Sequence, residues 1–224
     1  MRDIPANELV PVGVLAIDTS TEQAGVSLST ENQVLSRSWP ASRAQTTTVL
    51  PEIDRLVREA NLTPADITAL VVATGPGTFT GLRVGLAIAK GIVAAREVPM
   101  VGIPTLDIVF AMHPGEDIIA VLPAGRGRVV WQRTGAQPVN ASLAEFIWAS
   151  AGAQVVGELS ESQRDEILAA GIDLRIERRD PEVLLRIGAS RIAAGQLDDP
   201  TTLEPTYLHG ITVAAGPVED RLKK

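Results

Sequence analysis

The distribution of apolar and polar positions in the first half of the chain predicts a mixed α/β unit. Apolar runs of strand length occur at residues 12–18, 24–28, 33–39, 68–74 and 100–103. Apolar residues recur at helical spacing over 46–60 and 80–96. The resulting order, β-β-β-α-β-α-β, predicts a lobe that ends near Leu106.

The second half of the chain has a weaker pattern and predicts a smaller lobe. A hairpin is predicted from 118–122 and 128–132, and a short strand near Val155. Helices are predicted over 142–149, 160–170 and 181–194. The predicted organisation is therefore α/β with two lobes: an N-terminal extension at 1–11, a first lobe at 12–106 and a reduced second lobe at 107–224.

Composition narrows the classes of function. The chain has no cysteine, which excludes disulfides and thiolate sites and fits a reducing cytoplasm. Its apolar runs are too short to cross a bilayer, and its first residues lack an apolar signal core. The net charge is −7, so direct binding to a phosphate backbone is not expected. We expect a cytoplasmic protein with no membrane contact.

A hydroxyl-rich turn joins the first two predicted strands and is the first candidate site. Asp18, Thr19, Ser20 and Thr21 form it. In actin-like ATPases such a hairpin holds a phosphate, and its aspartate orients a magnesium-bound water. The same residue types also form ordinary polar turns. Phosphate binding and a plain turn both remain open at this stage.

A glycine-rich segment, Gly75 to Gly81, lies between a buried strand and a helix. This context suits anion binding, because free N–H groups at a helix start attract negative charge. Its spacing is neither that of a P-loop nor that of a dinucleotide fingerprint, and Pro76 removes one donor. The structural alternative is a sharp turn followed by a helix that Thr78 or Thr80 caps.

The helix after this turn is apolar on nearly all sides. Only Arg83 and Lys90 are charged, while Gly81, Gly85 and Ala89 recur at intervals of four and would permit close approach of another backbone. Either the helix is buried within the monomer or a second chain covers one side of it.

Several kinds of catalytic site are missing from the sequence. The two histidines, His113 and His209, are far apart and form no metal-binding motif, and no serine-hydrolase elbow occurs. A metallopeptidase is therefore disfavoured. The second half also lacks an Asp-x-Gly phosphate turn. We expect no catalytic residue, no metal and no cofactor.

Five segments together resemble one protein family. They are residues 15–21, Leu50-Pro51, the run Gly75-Pro76-Gly77-Thr78-Phe79-Thr80-Gly81-Leu82-Arg83-Val84-Gly85, residues 99–106, and Glu204-Pro205-Thr206-Tyr207-Leu208. They are similar to the bacterial TsaB (YeaZ) proteins. The resemblance is strong over about residues 12–106 and faint beyond.

The resemblance implies a duplicated actin-like (ASKHA) fold that has lost its catalytic parts, so that residues 18–21 form a vestigial phosphate hairpin. It further implies a non-catalytic subunit that docks onto a TsaD-like paralogue, the tRNA threonylcarbamoyl transferase. A TsaE-like ATPase would join this assembly, tRNA would be reached only through it, and the isolated chain would form a homodimer. The expected partner interface is Val49, Ile53, Gly81, Arg83, Gly85, Ala87, Ala89 and Lys90. The alternative is an actin-like small-molecule kinase or ATPase.

The chain departs from the family pattern at three places. Gln45 stands where many members have histidine, Pro123-Ala124-Gly125-Arg126 replaces Asp-Ala-Arg, and His209 replaces arginine. These departures make a catalytic role less expected and put some contacts of the second lobe in doubt.

Overall fold

The structure, a computed structural model, describes residues 10–41 and 45–207. Most of the predicted N-terminal extension and His209 lie outside these ranges. The described chain contains two five-stranded sheets, each with helices packed against it. Over the same ranges, no helix combines the length and apolarity needed to cross a membrane.

The first sheet has the strand order β3-β2-β1-β4-β5. Strands β1 to β3 form an antiparallel meander, while β4 and β5 run parallel to β1. Helices α1 and α2 connect β3 to β4 and β4 to β5, and α3 follows β5. The bounds are β1 Val14–Asp18, β2 Gln23–Ser29, β3 Val34–Pro40, α1 Gln45–Glu59, β4 Ala69–Gly75, α2 Phe79–Arg96, β5 Met100–Pro104 and α3 Thr105–Met112.

The second sheet has the order β10-β9-β6-β7-β8. Strands β6 to β8 are again an antiparallel meander, and β9 and β10 are parallel to β6 and to each other. The bounds are β6 Ile118–Pro123, β7 Arg128–Arg133, β8 Val139–Ser142, α4 Leu143–Ala149, β9 Gln154–Gly157, α5 Glu161–Ala169, β10 Asp173–Ile176 and α6 Pro181–Ala193.

The two sheets repeat one topology. In each, a three-strand meander is followed by helix, strand, helix, strand and helix, and the first strand of the meander is central. The second copy is smaller, since β8, β9 and β10 have four residues each. The predicted duplicated α/β fold with a reduced second lobe is confirmed.

Both faces of the first sheet are buried, which explains why its central strands are continuous apolar runs. On one face α1 packs against β2 and β3 and α2 packs against β1 and β4, with Val49, Ile53 and Leu86 in this part of the core. On the other face α3 and α6 pack through Ile108, Leu184 and other residues. The sheet is thus covered by helices on both sides.

The predicted division at residue 106 separates the sheets but misplaces α6. Helix α6 belongs to the second half of the sequence, yet it lies on the first sheet, where Leu184 and Leu185 join Val14 and Val71 in the core. Gly188 is required there, because any side chain would collide with Val71. The physical reason is that one apolar face of β1 and β4 needs a cover that the first 106 residues do not supply.

Candidate functional site

The predicted phosphate hairpin lies at the carboxyl end of β1 and is fully enclosed. Asp18, Thr19, Ser20 and Thr21 are all buried. Asp18 organises the turn, because its Oδ1 accepts hydrogen bonds from the backbone N–H of Ser20 at 2.9 Å and from the Ser20 hydroxyl at 2.6 Å. These bonds form the turn that the sequence predicts.

An arginine from the second half of the chain fills the space over this hairpin. Arg179 is 5% exposed. Its Nε donates to Asp18 Oδ2 at 2.9 Å, its Nη1 to Glu158 Oε1 at 2.6 Å, and its Nη2 to the hydroxyl oxygens of Ser20 and Thr21 at 3.0 and 3.2 Å. Thr21 in turn donates to Glu158 Oε2 at 2.6 Å. We call Asp18, Ser20, Thr21, Glu158 and Arg179 the interlobe cluster.

The charges of the interlobe cluster favour a protonated arginine. Burial is the largest single influence and acts to lower the pKa of Arg179. The charges and hydrogen bonds of Asp18 and Glu158 outweigh it and raise that pKa above its usual value. The cluster therefore holds one buried cation between two carboxylates.

This arrangement is poorly suited to a phosphate group. The carboxylates of Asp18 and Glu158 would repel it, and the Arg179 guanidinium that could attract it is already bound to both. The hydroxyl oxygens of Ser20 and Thr21 also bind inside the cluster. Of its five members, the sequence pointed to Asp18, Ser20 and Thr21. Glu158 and Arg179 stand in no recognisable motif.

The glycine-rich segment serves close packing against the same hairpin. The N–H of Thr78 donates to the carbonyl of Ser20 at 2.6 Å, and the Thr19 hydroxyl donates to the carbonyl of Gly81 at 2.7 Å. Any side chain at Gly77 or Gly81 would collide with the hairpin backbone. Thr78 occupies the N-cap position of α2, but its side chain makes no capping hydrogen bond.

Five of the eight residues predicted at the partner interface are buried inside this chain. Any side chain at Gly81 or Gly85 would collide with Thr19, and Ala89, Val49 and Ile53 are in the core. Placing these five on a docking surface was therefore wrong. The small residues of α2 accommodate the chain's own hairpin and first strand instead.

The outer surface of α1 and α2 forms an open apolar groove of about 440 Å³. Leu50 is 52% exposed and Phe79 is 53% exposed, although both are large apolar side chains. Of the remaining predicted interface residues, Arg83 and Ala87 are exposed and Lys90 is half-buried. We call the lining set the α1/α2 groove: Leu50, Phe79, Thr80, Arg83, Val84, Ala87 and Ile88.

Arg83 gives the rim of this groove a fixed positive charge. Its guanidinium lies 3.7 Å from the centre of the Phe79 ring, and its Nε donates to the Tyr207 hydroxyl at 3.0 Å. The Phe79 and Tyr207 rings are also in contact, with centroids 5.4 Å apart. The exposed Phe79 ring thus contacts both Arg83 and Tyr207.

In the described part of the second lobe, the turn that corresponds to the phosphate hairpin lacks its aspartate. Pro123 ends β6, as Asp18 ends β1 in the first lobe, so the turn at 124–127 begins without a carboxylate. His113 is buried, and its ring nitrogens lie 3.3 Å from Glu116 and 3.0 Å from Glu177. Within residues 10–41 and 45–207, no three potential ligand side chains are grouped to hold a metal ion.

Comparison with known proteins finds relatives of similar sequence and similar fold. Residues 39–147 match the family model described as TsaD, tRNA N6-adenosine threonylcarbamoyltransferase. The tRNA threonylcarbamoyladenosine biosynthesis protein TsaB of Haemophilus influenzae is 31% identical over 137 residues, which cover 59% of this chain and 58% of that protein. TsaB of Escherichia coli is 33% identical over 122 residues, covering 53% of each. The chain thus spans little more than half the length of these curated relatives.

The solved structure of YeaZ from Pseudomonas aeruginosa superimposes with a TM-score of 0.70 at 21% identity. It covers 88% of this chain and all of that one, so the shared fold extends over both lobes. The curated relatives, the matched structure and the motif from Gly75 to Gly85 agree with one another. These sequence matches, together with the shared fold, support the TsaB (YeaZ) family for this chain.

Proposed function

We propose that this protein takes part in the biosynthesis of tRNA threonylcarbamoyladenosine as a non-catalytic subunit that docks onto a TsaD-like catalytic paralogue. The names of the curated relatives support the pathway. The exposed α1/α2 groove is the observation that carries the docking role. A TsaE-like ATPase joins the same assembly, and tRNA contacts this chain only through the complex.

The α1/α2 groove has the anatomy of a protein interface. Its floor is apolar, with Leu50, Phe79 and Ala87 exposed together, and Arg83 stands at its rim. Interface cores are enriched in aromatic residues and arginine, and pre-ordered side chains lower the entropy lost on binding. Phe79 is aromatic, and its contacts with Arg83 and Tyr207 favour its present orientation. We propose Phe79 as the central anchor of the contact.

The interlobe cluster supports the non-catalytic part of the proposal. A nucleotide-dependent enzyme of this fold needs the first hairpin free for phosphate, whereas here Arg179 and Glu158 engage it. The second lobe adds no carboxylate at the equivalent turn, where Pro123 stands. The kinase or ATPase alternative is therefore less well supported.

A matched pair of substitutions tests the docking surface. Leu50→Asp places a charge in the groove, and Leu168→Asp makes the same change at a leucine of equal exposure, 50%, on α5 of the second lobe. We expect Leu50→Asp to weaken binding to the TsaD-like paralogue from the same organism by roughly 30-fold or more, since a central apolar anchor contributes about 2 kcal/mol. Leu168→Asp should bind as the wild type does. Calorimetry measures both, and circular dichroism verifies folding.

The opposite result would overturn the proposal. If Leu168→Asp abolishes binding while Leu50→Asp and Phe79→Ala keep wild-type affinity, the docking surface lies on the second lobe. If the purified pair fails to associate at all, the docking role itself is wrong. A reconstituted tRNA modification assay with and without this chain then tests whether it takes part in the pathway.

A further inference from the structure

The interlobe cluster joins three parts of the molecule that are distant in sequence. Asp18 ends the central strand of the first sheet, and Glu158 follows β9 of the second sheet directly. Arg179 lies two residues before α6, the helix that returns to the first sheet. Its hydrogen bonds to Asp18 and Glu158 span 161 and 21 residues of sequence. One guanidinium thus bridges the two lobes.

The donors of Arg179 match the acceptors around it. A guanidinium presents its N–H groups in a rigid planar fork, and here Nε, Nη1 and Nη2 each meet a different partner. The backbone N–H of Arg179 also donates to Glu158 Oε1 at 3.1 Å. A lysine, with one compact charged group, could not reach Asp18 and Glu158 in the same geometry.

We propose that this is an internal cation site, in which Arg179 joins the two lobes as a built-in ligand. The lobes are held together by a resident guanidinium, and no nucleotide is needed to bridge them. The class of ligand that the emptied site would accept is a small planar cation of the guanidinium type. Phosphate is excluded on grounds of charge, because removing Arg179 leaves the buried carboxylate of Asp18 and the largely buried carboxylate of Glu158 without their cation.

The cluster also positions the start of α2. Ser20, which accepts from Arg179, binds the N–H of Thr78 through its carbonyl, and the neighbouring Thr19 binds Gly81. Loss of the cation should therefore loosen the hairpin and the first turn of α2 together. Faster hydrogen exchange in both segments is the expected signature.

Chemical rescue tests the proposal without any partner protein. Arg179→Ala should lower the melting temperature by roughly 10 °C, because an unpaired buried charge is strongly destabilising. Guanidinium or methylguanidinium at low millimolar concentration, far below the denaturing range, should restore part of this loss and slow the exchange again. Inorganic phosphate and magnesium-ATP should restore nothing.

Arg133→Ala is the matched control. This substitution also breaks an arginine–carboxylate pair, because Arg133 is paired with Asp117, but both of these side chains are more than half exposed. We expect little change in its melting temperature and no response to guanidinium. This comparison separates occupation of a built site from a general effect of the salt.

Two results would overturn the proposal. One is an Arg179→Ala protein with the wild-type melting temperature. The other is rescue by phosphate or magnesium-ATP in place of guanidinium, which would make the hairpin a phosphate site that Arg179 blocks. If Arg179→Ala does not fold, Arg179→Ala combined with Glu158→Gln removes one of the unpaired charges. That double variant should fold and should bind guanidinium, although more weakly than the intact pair of carboxylates would. Rescue by guanidinium, phosphate or magnesium-ATP then tests the proposal in the same way.

Discussion

The glycines of α2 stand in opposite environments although they share one helix. A side chain at Gly81 would collide with the carbonyl of Thr19, while nothing lies near the corresponding position at Gly91. We predict that Gly81→Ala lowers the free energy of unfolding by about 3 kcal/mol, because backbone on both sides resists displacement. Gly91→Ala should raise it by about 0.5–1 kcal/mol through helix propensity. Urea unfolding of the two variants measures the difference, and equal stability would contradict the close packing at Gly81.

Two aspartates should give the stability opposite dependences on pH. Burial raises the pKa of Asp107, with Arg191 opposing it, whereas the hydrogen bond from Arg133 is the main cause of the lowered pKa of Asp117. A raised pKa means that the folded state binds the proton of Asp107 more tightly than the unfolded state does. The contribution of Asp107 to the free energy of unfolding therefore falls as pH rises above the unfolded pKa of about 3.9. Asp107→Asn should therefore stabilise the protein near neutral pH and have no effect in acid.

Asp117→Asn is the counterpart with the opposite sign. A lowered pKa contributes stability above the unfolded pKa and loses it as pH falls through the folded one. This variant should be only slightly less stable than the wild type near neutral pH, since the pair is exposed, and equal to it in strong acid. Urea unfolding across the acid range measures both curves. A stabilising effect of Asp117→Asn at neutral pH would contradict the assignment.

At the residue scale the sequence predicts three of the five members of the interlobe cluster. Asp18 to Thr21 can be found because a turn between two strands has a local signature. Arg179 cannot, since it meets Asp18 across 161 residues and nothing in its neighbourhood marks it as buried. The physical cause is that a buried ion pair depends on tertiary proximity, which local patterns do not encode.

At the scale of the element, a strong hydrophobic periodicity predicts the bounds of a helix well. Helices α1 and α2 begin and end within one residue of the predicted 46–60 and 80–96. Helix α3 and strands β8 and β10 were missed. Helix α3 has only eight residues, and β10 has four, mostly exposed, so neither displays an amphipathic repeat. Short elements of this kind are fixed by the sheet or core that they join.

Helix α6 should stabilise the first lobe although it lies in the second half of the sequence. Leu184 is fully buried against β1 and β4. We predict that Leu184→Ala lowers the free energy of unfolding by about 3 kcal/mol and reduces hydrogen-exchange protection in the first sheet. Trp148→Ala removes a larger side chain, but one that is 83% exposed, and should be nearly neutral. Loss of protection confined to the second sheet would contradict this packing.

At the scale of the whole molecule, the duplication is visible in topology and hidden in the sequence. The two sheets share strand order and connections, whereas the second copy has shorter strands and a proline where the first has Asp18. Packing constrains which positions are apolar and leaves their identity free, so two copies can diverge while the arrangement persists. The interlobe cluster has no second copy, because it forms where the two copies meet.

The same groove that we propose for the partner should pair two copies of the isolated chain. An exposed apolar patch that is self-complementary favours a two-fold dimer, in which each residue of the interface occurs twice. Leu50→Asp then places two carboxylates near one axis between protomers that each carry a net charge of −7. We predict that it yields a monomer by light scattering, while Leu168→Asp remains dimeric. The paralogue competes for the same surface, so adding it should convert the homodimer to a heterodimer. If Leu50→Asp stays dimeric and only Leu168→Asp dissociates, self-association uses the second lobe and leaves the groove free.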